Sequence, residues 1–199
     1  MPDNPTPRYF LTMYGYQTFP NFLRTAHTFG EVTRKKYLDD GSVEAESTLI
    51  SWLPAGGKIH LFGGEPGRNY TMDETLAWAA DVGAEVRATE PTEIMPELYD
   101  SFIERRAELD SGSVLYIMND RFTDRPNGMT NCIHAISDLP VVLAAKPMLD
   151  TGIFHGYLSS WAVYDHLSDW FVESPSPDPD VTPTSFTELD EMTDEHGVA

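Results

Sequence analysis

The chain carries one cysteine, Cys132, inside the run Asn131-Cys132-Ile133-His134-Ala135-Ile136. A thiol becomes a nucleophile when it loses its proton. The unpaired N–H groups and dipole at a helix N-terminus favour the resulting thiolate. Asn131 is a strong N-cap type, and Asp124, Arg125, Pro126, Asn127 and Gly128 form a turn-rich approach. This pattern predicts that Cys132 emerges from a loop into the first turn of an apolar helix, a setting suited to covalent chemistry. Cysteine is equally at home as a small buried hydrophobe, so a nucleophile also needs a base. His27, in Ala26-His27-Thr28-Phe29-Gly30, is the candidate. His134 is a poor one, because positions i and i+2 point to different sides of a helix. Asn131 is a cap first and a substrate-positioning residue second.

The elements that must hold these groups fall into two halves. Tyr9 to Tyr16 is rich in aromatic residues and reads as a strand; Phe22 to Arg34, carrying His27, reads as a second. Asp39-Asp40-Gly41-Ser42 is a hairpin turn, and Val43 to Leu53 a third strand ending at Pro54. Lys58 to Phe62 is expected as a fourth. Gly63 to Asn69 is glycine-rich but lacks the spacing of a phosphate loop, and is expected as a long turn. Thr71 and Glu74 fit a capping box opening a helix that Gly83 stops. Glu85 to Thr89 is expected as a connection. Thr92 is expected to open a second helix with Ile94, Leu98, Phe102, Ile103 and Leu109 on one face. Val114 to Met118 reads as a buried strand and about His155 to Phe171 as a final helix. The class is α+β: an antiparallel sheet with helices packed on it.

Composition limits the partners. The 199 residues hold 13 Lys plus Arg against 32 Asp plus Glu, a net charge of −19. From Glu173 to Ala199 there are eight acidic residues and no Lys or Arg, leaving 24 acidic against 13 basic residues, or −11, in the rest. Such a chain is repelled by phosphate backbones, so no nucleic-acid partner is expected. No apolar run is long enough for a membrane span and no leader pattern is seen; the expected location is cytoplasmic. Residues 1–7 are expected as a flexible start, 8–172 as one domain, and 173–199 as a disordered acidic tail rich in proline. One cysteine excludes an internal disulfide, and no close-spaced ligand pair supports a metal; no cofactor is expected.

An early strand histidine and a late cysteine opening a helix, in this order, resemble the circularly permuted branch of the papain-like superfamily. That branch includes lecithin retinol acyltransferase-like proteins and relatives of the NlpC-type cell-wall peptidases. The matching residues are Asn131-Cys132-Ile133-His134-Ala135 and Ala26-His27-Thr28-Phe29. The chain is also similar to a set of bacterial proteins sharing blocks such as Ile50-Ser51-Trp52-Leu53-Pro54, Glu65-Pro66-Gly67-x-Asn69 and Asn131-Cys132-Ile133-His134-Ala135-x-x-Asp138. The resemblance implies a permuted papain-like arrangement and a cysteine hydrolase. It names no substrate beyond a small molecule or peptide.

The chain departs from the acyltransferase branch, which places a second histidine across the hairpin from the base. Here the third strand offers Glu46, Thr48 and Ser51. A third polar group orients the imidazole in Cys–His systems. Ser51, nearest the strand end that should face His27, is the first choice; Thr48 and His60 are its rivals. Two functions therefore stand. One is a thiol hydrolase or acyl transferase acting on an amide, peptide or ester bond through Cys132 and His27, with Ser51 orienting the base. The other is a non-catalytic binding domain on the same fold, with a vestigial Cys–His pair.

Overall fold

The computed structural model describes residues 6–20, 25–60, 63–119, 128–150 and 156–173. The loop Asp124–Asn127 and the tail 174–199 lie outside the described residues, as do residues 1–5. Three long strands, β1 (Arg8–Gln17), β2 (Ala26–Tyr37) and β3 (Val43–Ile50), form an antiparallel meander. The β2–β3 turn passes through Gly41 at φ 83°, a left-handed backbone that glycine adopts without a Cβ penalty.

The third strand breaks at Ser51. Beyond the break, β4 (Trp52–Pro54) leaves the first sheet and pairs with β5 (Glu65–Asn69) in a second one. The glycine-rich stretch expected as a turn thus contains a strand. The residues expected as a strand differ too: Lys58–His60 have no regular structure, and Leu61–Phe62 are outside the described residues.

Helix α1 (Met72–Asp81) opens on a capping box: Glu74 N donates to Thr71 Oγ1 at 3.2 Å, and Thr71 N donates to Glu74 Oε2 at 2.8 Å. Two short strands then return to β1, namely β6 (Glu85–Ala88), expected as a connection, and β7 (Thr92–Ile94). Thr92 therefore opens no helix. Helix α2 (Pro96–Asp110) starts at a proline, whose fixed φ and missing N–H suit a first turn.

The buried strand expected over Val114–Met118 is shorter, β8 (Leu115–Tyr116). It pairs antiparallel with β5 and parallel with β9 (Met129–Thr130), completing the second sheet. Helices α3 (His134–Ser137) and α4 (Pro140–Ala145) follow, separated at Leu139, whose backbone is extended (ψ 141°) ahead of Pro140. Helix α5 (Tyr157–His166) ends in a 3₁₀ turn, Ser168–Trp170, and Phe171 bridges to Ile94. The expected helix through Phe171 is shorter by this turn.

Side chains alternate across the first sheet, and the two faces carry different cores. Leu11, Met13, Val32 and Ile50 face a large cluster that includes α2, Cys132, Ile133, Ile136 and Val163. Tyr16, Phe29 and Leu49 face a smaller one closed by Ala79 of α1. Helix α5 packs on the sheet against Gly15 of β1 and at Thr28 of β2, whose hydroxyl is 2.7 Å from Ser159 Oγ. Among the described residues, no helix is long and apolar enough to cross a membrane.

Candidate active site

His27 sits one pair from the end of β2, opposite Tyr16 of β1. The strand period puts its ring on the Phe29 and Tyr16 face. The His27 and Phe29 rings stack with centroids 5.4 Å apart, and the Tyr16 ring is tilted against the imidazole at the same centroid distance, 5.4 Å. The imidazole is wholly buried. Burial disfavours the imidazolium and pulls the His27 pKa down to about 3, so the ring is neutral at neutral pH.

One ring nitrogen is held. His27 Nε2 lies 2.9 Å from Ser51 Oγ, and Ser51 Oγ lies 2.8 Å from Thr75 Oγ1. Thr75 Oγ1 donates to the Thr71 carbonyl at 2.8 Å. Since that last bond uses the Thr75 proton, Ser51 donates to Thr75, and Ser51 Oγ accepts from His27 Nε2–H. The other nitrogen, Nδ1, is then the basic one. It is buried without a hydrogen-bond partner, Cys132 Sγ included.

The chain break at Ser51 makes this relay. Had β3 run on through Trp52, the Ser51 side chain would still share the face of Leu49 and His27, because alternation puts 47, 49 and 51 together. The break lets Tyr70 N donate to the Ser51 carbonyl at 2.9 Å, which fixes Ser51 beneath the first turn of α1. Thr75 arrives because the capping box at Thr71 starts the helix there, and Thr75 and Ala79, four residues apart, form its buried stripe. Thr48 lies on the opposite face from Ser51. Glu46 is exposed, and exposed His60 places Nδ1 3.3 Å from Glu65. Neither rival reaches His27.

Cys132 occupies the first turn of a capped helical segment. Asn131 Oδ1 accepts from His134 N at 2.9 Å, and the Asn131 carbonyl accepts from Ala135 N at 3.0 Å. Asn131 is therefore the cap in hydrogen-bond terms, although regular helix begins at His134. The segment is short, and its dipole is correspondingly small, so less thiolate stabilisation is available than a long helix would supply. Cys132 is 6 % exposed. From α2, the buried Arg105 guanidinium reaches the same turn, with Nε donating to the Ala135 carbonyl at 3.4 Å and Nη1 paired with Glu108 at 2.6 Å.

Tyr16 links the two centres. It faces His27 across the strand pair, and burial together with the neighbouring Cys132 and Tyr70 raises its phenol well above the ordinary value. Cys132 itself packs in the larger cluster, whose sheet residues lie on the face opposite His27. The structure thus brings His27 and Ser51 together, adds Thr75 and Tyr16, and joins Cys132 to His27 by no hydrogen bond. Thr75 and Tyr16 escaped the sequence reading; the available signal was the helical spacing from Thr71 and the strand pairing of Tyr16 with His27.

Among the described residues, no group of three His, Cys, Asp or Glu side chains is placed to hold a metal ion. Comparison of the chain with protein-family models, with curated proteins and with solved structures finds no match.

Proposed function

We propose that the protein is a thiol hydrolase or acyl transferase of the permuted papain-like type, acting on an amide, peptide or ester bond. One observation carries the reading: the chain His27 Nε2–Ser51–Thr75–Thr71 fixes the imidazole through one nitrogen and leaves Nδ1 unprotonated and unpartnered. A buried ring held in one tautomer by a serine is what a general base requires.

The step follows from the protonation states. The low His27 pKa means that the imidazole is neutral at rest, so the pair does not start as a thiolate and an imidazolium. Bringing Cys132 within reach of His27 Nδ1 is the first requirement, since no hydrogen bond joins them at rest. The Cys132 sulfur then adds to the carbonyl carbon while its proton passes to His27 Nδ1. The proton goes on to the leaving nitrogen or oxygen as the C–N or C–O bond breaks, leaving a thioester. Water, or an acceptor nucleophile, attacks the thioester and delivers its proton to His27; the proton then returns to sulfur. Asn131 positions the substrate carbonyl from the cap of the same turn.

A second reading is favoured by the same burial. His27 is sealed, and the apolar neighbours of Cys132 sit on the other face of the sheet, as in a binding domain with a vestigial pair. Mixing the full chain with p-nitrophenyl acetate, quenching in acid and mapping by mass spectrometry separates the two. Acetyl thioester on Cys132, absent in Cys132→Ser, is the outcome of the first; an unmodified Cys132 is the outcome of the second.

A further inference from the structure

A second, independent feature lies at the free edge of the first sheet. A groove of about 510 Å³ runs beside β3 between the Tyr70 loop and the end of α2, lined among others by Glu31, Ser47, Leu49, Tyr70, Arg106 and Asp110. Its volume is that of a ligand site. We propose that this groove binds an extended peptide segment carrying a lysine or arginine, added as a strand along β3.

In the order β3-β2-β1-β6, β3 is an outer strand. Arg106 Nη1 donates to the Leu49 carbonyl, so that carbonyl points away from β2. A strand residue projects its N–H and C=O to the same side, and the direction repeats every second residue. The N–H and C=O groups of Ser47 and Ala45 therefore also point outward, and among the described residues no backbone group pairs with them. A row of unpaired edge groups is a template for an added strand.

The side chains of the groove select the charge of that strand. In the groove, Arg106 is already paired with Asp110 at 2.6 Å, and Asp110 also accepts from Asn69 Nδ2 at 2.7 Å. The Glu31 carboxyl, on β2 opposite Leu49, makes no hydrogen bond or ion pair among the described residues. It is half-buried, and burial raises its pKa. A half-buried carboxylate without a counter-ion is stabilised by an incoming cation more than an exposed one is. The net charge of −19 steers basic ligands towards the chain and repels acidic ones.

The test uses the full chain and a fluorescent pentapeptide, acetyl-Thr-Val-Lys-Val-Thr-amide, with a norleucine analogue that keeps the methylene stem and drops the charge. Fluorescence anisotropy is expected to show the lysine peptide bound at least tenfold more tightly than the norleucine peptide. Glu31→Gln, close in size and shape, is expected to erase that difference. Ser47→Pro removes an N–H that the β2 ladder does not use, and proline is tolerated on an edge strand; it is expected to fold and to weaken both peptides at least tenfold. Equal affinity for lysine and norleucine in the unmodified chain overturns the proposal. So does a lysine preference that survives Glu31→Gln, or a folded Ser47→Pro that binds as before. None of these results depends on Cys132, so the groove and the thiol chemistry stand or fall separately.

Discussion

Trp52 covers Gly67 diagonally across the β4–β5 pair, so closely that a Cβ at residue 67 would overlap the indole ring. Trp52 is wholly buried, so the ring has no free direction in which to move. Gly67→Ala is expected to destabilise the fold by about 1–3 kcal/mol through overpacking. In a chain of this size that corresponds to a loss of roughly 2–12 °C in Tm. Calorimetry of the two proteins checks it, and an unchanged Tm would mean that the indole does not hold its place over residue 67.

Ser51→Ala removes the link between His27 and Thr75. Nε2–H of the buried imidazole is left without its acceptor, at a cost of about 1–3 kcal/mol. Ser51→Thr keeps a hydroxyl and is expected to recover part of the thioester-forming rate that Ser51→Ala loses. A purely structural serine would give the two variants the same rate once both are folded.

Stability should fall with pH in a window set by His27. Its folded pKa of about 3 lies below the unfolded value of 6.5, so the unfolded chain binds the extra proton. The contribution is fully present above about pH 6.5 and is lost as pH drops towards 3. Between pH 7 and pH 5 the loss is on the order of 2 kcal/mol from this group. His166, whose pKa is lowered by burial and Lys146, acts in the same direction. Urea unfolding at the two pH values, repeated with His27→Gln, isolates the share of His27. The variant is expected to show a visibly flatter pH dependence. Carboxylates such as Glu74, held down to about 2 chiefly by Arg68, lose their contribution only at lower pH.

Arg105 ties α2 to the turn that carries Cys132. Its guanidinium is buried, with Nη2 unpartnered. Arg105→Met retains much of the stem volume but gives up the contacts to Ala135 and Glu108. The expected result is modest destabilisation, within about 2 kcal/mol, because removing a buried charge offsets the lost bonds. Increased iodoacetamide access to Cys132 is expected alongside it, measured at neutral pH with the folded variant.

Where local pattern and tertiary contact agree, the fold was readable from residues alone. The β1–β2–β3 meander follows from aromatic and β-branched runs around Asp40-Gly41, and α1 from Thr71 and Glu74. Thr92-Glu93-Ile94 looks like a helix start, yet pairing with Tyr9–Leu11 makes it a strand, and no local pattern announces that partner. Gly64, Pro66 and Gly67 read as breakers because the ring that requires Gly67 is 15 residues away in sequence. In the site, Ser51 was accessible from strand order around the hairpin. Thr75 was not, because a threonine in a helix carries no mark of the serine it meets. The relative faces of His27 and Cys132 depend on how α3 meets the sheet, where Ile136 packs close over Gly30, and that is decided by packing rather than by either motif.

The proposed reaction hinges on transfer of the Cys132 proton to His27. It is tested most directly by the rate at which p-nitrophenyl acetate acylates Cys132 in the unmodified protein and in His27→Gln, followed by p-nitrophenol release under single-turnover conditions. The variant is expected to be slower by roughly 10²–10⁴-fold, the range of general acid–base catalysis, with its fold intact by circular dichroism. Equal rates in the two proteins would contradict it and leave Cys132 and His27 as separate residues of two cores.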